Sequence, residues 1–141
     1  MEKLPEMLQK AGYRRPFAIC DPNTYAAAGA RALALLEQAG ISYGYLQLRE
    51  DKPEPDEAAL GQICMKFDAS CDCILAIGGG VINDLGKMLA AATGKRSIMV
   101  ATAPSMDGFA SSSGSMVVGG VKVSLSCPCP IGVIADTKIM A

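Results

Sequence analysis

The sequence predicts an α/β fold, a parallel sheet with helices on both faces, in one domain covering residues 1–141. Short apolar runs alternate with longer helical segments through most of the chain, the pattern of βαβ units. The apolar run at residues 73–77 passes through Gly78-Gly79-Gly80 directly into a helical segment. A length of 141 residues suits a single core and is short for two.

The elements follow in order. Residues 2–11 read as a short amphipathic helix, and residues 17–20 as a compact apolar strand stopped by Asp21-Pro22-Asn23, a turn and helix-start cluster. An alanine- and leucine-rich helix spans 24–39 and stops at Gly40, which can take the left-handed conformation that closes a helix. Residues 42–48 alternate as a strand does, residues 49–56 form a charged, proline-broken loop, and a helix follows at 56–67. The strand at 73–77, the helix at 81–92 and the strand at 97–102, ending in Ala103-Pro104, complete the regular alternation. Beyond it, 111–115 and Gly119-Gly120 read as loop, 121–125 as strand, Cys127-Pro128-Cys129-Pro130 as a break and 131–135 as a last strand. Residues 136–141 start a helix or connection.

Composition excludes several classes of function. Thirteen basic and fourteen acidic residues leave a net charge of −1, without the footprint of a nucleic-acid or anionic-membrane binder. Charges scattered through the first sixteen residues argue against a secretory signal, and the most apolar stretch, 88–92, is too short to span a bilayer, so a cytoplasmic location is expected. The six cysteines are then expected as reduced thiols, with Cys20, Cys64 and Cys73 buried in strands or helices. Cys71/Cys73 and Cys127/Cys129 have CxC spacing, which does not suit one zinc ion. The absence of histidine removes mixed metal sites and every Ser/His or Cys/His nucleophile.

Chemistry is expected at the strand ends, where parallel sheets collect their ligands: Asp21, the glycines and the 102–115 segment. Glycines let a backbone approach a ligand closely, and the first N–H groups of the next helix point at an anion, a nucleotide pyrophosphate by preference. The spacing is not GxGxxG, and a tight turn binding nothing is the alternative. Asp21 either accepts from the hydroxyls of an adenosine ribose, which would favour NAD over NADP, or caps a helix. Asp84 either orients a part of the cofactor beyond the pyrophosphate or complements the helix dipole. Residues 101–116 are rich in hydroxyls around Asp107, with Pro104, Met106 and Phe109 as anchors, so they form either a lining for a polar ligand or a flexible loop.

The motifs GGGVINDLGKM, TAPSMDGFASS and CPCPIGVIADT, in that order, resemble the sn-glycerol-1-phosphate dehydrogenase family, in the larger group of iron-dependent alcohol dehydrogenases, glycerol dehydrogenase and dehydroquinate synthase. The resemblance runs from about Asp21 to the end. It implies a Rossmann-like domain and an NAD(P)-dependent interconversion of dihydroxyacetone phosphate and sn-glycerol 1-phosphate, a step of phospholipid biosynthesis. By motif position, Gly78, Gly79, Gly80, Val81, Ile82, Asn83 and Asp84 would hold the pyrophosphate and nicotinamide side. Asp21 would meet the adenosine ribose, Thr102, Ser105 and Ser111 the cofactor, and Asp107 the substrate.

Family members are longer, and a C-terminal helical domain supplies an aspartate and two histidines for zinc or another divalent metal. This chain is accordingly read as the cofactor-binding half, starting one strand late, carrying no catalytic or metal-ligating residue and inactive in isolation. A homo-oligomer, or another chain supplying the metal domain, is the expected partner. The alternatives are a dehydroquinate-synthase-like NAD-dependent lyase, against which the serine-rich segment around Asp107 speaks, and a non-catalytic nucleotide-binding module.

Overall fold

The computed structural model describes residues 1–102 and 111–136. In chain order its elements are α1 (Leu4–Lys10), β1 (Pro16–Cys20), α2 (Pro22–Thr24), a π-helical turn (Tyr25–Gly29), α3 (Ala30–Gln38), β2 (Gly44–Gln47), α4 (Glu57–Lys66), β3 (Cys73–Gly78), α5 (Gly80–Thr93), β4 (Ser97–Ala101), β5 (Ser113–Val118), β6 (Val121–Ser126) and β7 (Gly132–Ala135). Five strands form one sheet in the order β2-β1-β3-β4-β7, every neighbouring pair parallel.

The three inner strands, β1, β3 and β4, are buried at every residue, which is why their sequences are continuous apolar runs. Edge strand β2 alternates between half-buried and exposed positions. Helices cover both faces, as expected. On one side Leu4, Leu8, Ala32 and Leu36 pack with Ala18, Leu75, Ile77 and Val100. On the other, Ile63, Leu85 and Leu89 pack with Phe17, Ile19, Ile74 and Met99. Helix α5 lies so close to the sheet that a Cβ on Gly86 would stand 2.8 Å from that of Ala76.

Helix ends follow local chemistry. Asp56 caps α4 by accepting from the Ala59 N–H at 2.9 Å, and Gly94 ends α5 with φ +70°.

Three expectations are corrected. The helix expected over 24–39 contains the π-helical turn, five residues long, between α2 and α3. Residues 111–115, read as loop, contribute Ser113 to Ser115 to β5, which pairs antiparallel with β6 through a turn at Gly119 (φ +59°) and Gly120 (φ +80°). Two central residues of positive φ make a hairpin turn that glycine adopts without strain. This strand is fixed by its contacts. Gly114 and Met116 are buried, and the Val117 N–H donates to the Pro55 carbonyl at 2.8 Å.

Cys64, expected inside, is exposed, whereas Cys20 and Cys73 are buried. Burial pushes the Cys20 thiol up to about 11 and that of Cys73 up to about 12. Of the terminal segment expected to begin a helix, 137–141 lie outside the described residues. Among the described residues no helix is long and apolar enough to cross a membrane.

Candidate functional site

From β1 the chain proceeds to β2 on one side, while β3 lies on the other side of β1. Connections leaving neighbouring strands in opposite directions open a crevice at their carboxyl ends, the usual ligand position in such sheets. Two helices begin there, α2 after β1 and α5 after β3.

The first beginning is closed by its own chain. An Asp21 carboxylate oxygen accepts from the Thr24 N–H at 2.8 Å, and the Thr24 hydroxyl accepts from the Asp21 N–H at 2.9 Å. This is a capping box. Asp21, 7% exposed, is therefore a helix cap whatever else it does.

The second beginning is open. Gly79 occupies the cap position with no side-chain hydrogen bond. The first helical bond runs from the Asn83 N–H to the Gly79 carbonyl at 3.0 Å, so the N–H groups of Gly80, Val81 and Ile82 have no acceptor within the helix. Adjacent glycines do different work. A Cβ on Gly78 would stand 2.7 Å from Cβ and Cγ1 of Ile82, so Gly78 serves strand-to-helix packing. A Cβ on Gly79 would meet nothing within 4 Å, and this glycine keeps the cleft clear.

Asp21, Asn23, Thr24, Asp51, Lys52, Pro53, Gly79, Gly80, Val81, Ile82 and Thr102 line one cleft of about 300 Å³. Asn23 ties the 49–56 loop into its wall by donating from Nδ2 to the Asp51 carbonyl at 2.9 Å. Thr102 is held beside the glycines, its N–H donating to the Gly78 carbonyl at 3.0 Å.

The remaining expected residues divide into two groups. Asn83, buried, and Asp84, half-buried, lie further along α5. Burial raises the Asp84 carboxyl above the usual range, opposed by a hydrogen bond from the Ser115 backbone and by the charges of Lys87 and Lys122. Ser111 meets the same helix, its Oγ accepting from Lys87 Nζ at 3.0 Å. Ser105 and Asp107 lie outside the described residues, as do Pro104, Met106 and Phe109.

Sequence reasoning missed Asn23, Thr24, Asp51, Lys52 and Pro53 as cleft lining, and it missed the burial of Lys87. A signal for the first existed in Asp21-x-x-Thr24, which aims the chain after β1. For Lys87 the signal was a lone charge on the buried face of an apolar helix.

Among the described residues no group of three or more His, Cys, Asp or Glu side chains could hold a metal ion, and the chain contains no histidine. The donor set does not fit the divalent metal of the family resembled.

Comparison with known proteins gives a family and a fold. The family profile described as iron-containing alcohol dehydrogenase matches residues 1–141. The chain is 36% identical over 140 residues to glycerol-1-phosphate dehydrogenase [NAD(P)+] of Halalkalibacterium halodurans, covering 97% of this chain and 35% of that protein. It is 32% identical to the protein of the same name from Bacillus velezensis, covering 99% of this chain and 36% of the relative. An iron-containing alcohol dehydrogenase from Thermotoga maritima superposes with a TM-score of 0.84 at 16% identity, over 98% of this chain and 44% of that one, a likeness of fold. This chain thus spans about a third of the length of the curated relatives it matches.

Proposed function

Because this chain belongs to the iron-containing alcohol dehydrogenase family, we propose that residues 1–141 are the NAD(P)-binding unit of an oxidoreductase interconverting dihydroxyacetone phosphate and sn-glycerol 1-phosphate. The observation that carries the reading is the uncapped start of α5 facing Asp21 across the crevice. Open N–H groups at Gly80, Val81 and Ile82 suit a pyrophosphate, and the helix dipole adds to their attraction. With one carboxylate oxygen on the Thr24 N–H, Asp21 turns the remainder of its charge to ribose hydroxyls and repels a 2′-phosphate. Thr102 closes the cleft beside the glycines. To the same reading belong Ser105 and Ser111 as further cofactor-binding residues and Asp107 as a substrate-binding residue.

The bound dinucleotide supplies or accepts the hydride. This chain binds and orients it. The named substrate pair rests on the glycerol-1-phosphate dehydrogenases the chain resembles. A cytoplasmic location belongs to the same reading.

Calorimetric titration of the purified chain with NADH tests the proposal. Micromolar binding is expected, weakened about 100-fold by Gly79→Asp, which places a carboxylate where the pyrophosphate would sit. The melting temperature should be unchanged or slightly higher, because aspartate is a good cap. A folded wild-type chain that takes up no NADH would overturn the reading.

A further inference from the structure

We infer that Lys87 is a positioning residue for the nicotinamide-side part of the cofactor site, acting through Ser111. The inference rests on the dinucleotide reading above and deepens it.

Lys87 has no exposed surface, although ammonium groups are rarely buried without strong compensation. Its neighbours on the buried face of α5 are Ile82, Leu85, Met88 and Leu89, so methionine would satisfy packing. The charge is spent instead on distant chain. Nζ donates to Ser111 Oγ at 3.0 Å and to the Ser113 carbonyl at 3.1 Å, while the Ser111 hydroxyl donates to the Ser113 carbonyl at 2.9 Å. One turn earlier, Asp84 takes a hydrogen bond from the Ser115 backbone. A single face of α5 therefore grips alternate residues, 111, 113 and 115.

These grips lie outside the cleft. The cleft runs from Asp21, Asn23 and Asp51 past Gly79 and Gly80 to Thr102 and contains none of Asp84, Lys87 or Ser111. A dinucleotide with one ribose at Asp21 and its pyrophosphate at the start of α5 has its second nucleotide on the opposite side. Lys87 is seven positions beyond Gly80, about 10 Å along the helix, too far for direct contact with a phosphate at the helix start. Among the described residues it reaches Ser111 and the Ser113 carbonyl, and Ser111 is the group through which it acts on the second nucleotide.

Binding of two ligands to the full chain separates this role from a purely structural one. ADP reports the adenosine and pyrophosphate subsites, and NADH adds the nicotinamide end. Lys87→Met is expected to weaken NADH about tenfold and to remove the change in nicotinamide fluorescence on binding, with ADP affinity unchanged. Ser111→Ala should reproduce the NADH-selective loss, and the double variant should bind NADH no more weakly than either single one.

Equal loss for both ligands, no loss for either, or multiplying losses in the double variant would overturn the positioning role. Should Lys87→Met fail to fold, Lys87→Gln, which keeps a neutral donor, is read by the same comparison. Wild-type chain binding neither ligand would instead sink the dinucleotide reading and this inference with it, a result distinct from ADP and NADH both binding well to the Lys87 variant.

Discussion

At the crevice between β1 and β3, α2 begins with its donors satisfied by Asp21 and Thr24, whereas α5 begins at Gly79 with its donors open. The two helix starts share one cleft and carry opposite electrostatic character. One presents a carboxylate, partly used by its own cap, and the other presents three N–H groups and the positive end of a fourteen-residue helix. Under the proposed dinucleotide reading, the difference would let a protein of net charge −1 sort the parts of its ligand. The anion would go to the helix without a cap, and neutral hydroxyls to the carboxylate.

The largest effect that would sharpen this contrast lies in the glycine next to the open start. Gly78→Val would drive a side chain into Ile82 and is expected to cost about 3 kcal/mol or more, read by urea unfolding. Gly79→Asp should leave stability within about 0.5 kcal/mol of wild type while abolishing useful NADH binding. Equal destabilisation by both would erase the distinction between a packing glycine and a ligand glycine.

A smaller effect is expected at the closed start. Asp21→Ala removes the capping box and should cost about 1 kcal/mol, whereas Asp21→Asn keeps an acceptor for the Thr24 N–H and should cost only a few tenths. The asparagine variant loses the charge that repels a 2′-phosphate, so its NADPH affinity should rise relative to NADH when both are titrated. An unchanged preference would place the discrimination elsewhere in the wall, with Asp51 and Lys52 next in line.

The smallest effect concerns Asp84 on α5. Its carboxyl is raised above 3.8, chiefly by burial, so the folded state holds that proton more tightly than the unfolded chain. The associated stability is present at acid pH and is lost as pH rises from 3.8 through the raised value. Asp84→Asn should remove that loss, so that its stability relative to wild type improves from acid to neutral pH in paired melting curves. An opposite slope would mean that the Ser115 hydrogen bond and the Lys87 and Lys122 charges outweigh burial.

Much of this site was legible because it is built from short-range chemistry. A continuous apolar run such as 73–77 has few options other than an inner parallel strand, and glycines between strand and helix mark a close approach wherever the fold places them. Asp21 was read as cap or ribose ligand, and the structure shows the cap directly. β5 was hidden because Ser113, Gly114 and Ser115 have the composition of a loop, and their strand character comes from β6, Pro55 and α5. Cys64 was misplaced by residue type. In α4 the buried positions are Ala59 and Ile63, four apart, which turns the next residue, Cys64, about 100° away from the core.

By itself the sequence determined the alternation of strands and helices, the capping box at Asp21 and the glycine junction at Gly78-Gly79-Gly80, because propensities, caps and turns act over a few residues. Tertiary structure decided which strands are neighbours, and so brought Asp21 and Gly79 to one crevice 58 positions apart in sequence. It also turned Lys87 from a helix residue into the partner of Ser111 and separated the roles of Gly78 and Gly79. Those outcomes depend on packing a helix against a sheet, where a difference of one ångström decides whether a side chain fits, and no local pattern encodes that distance.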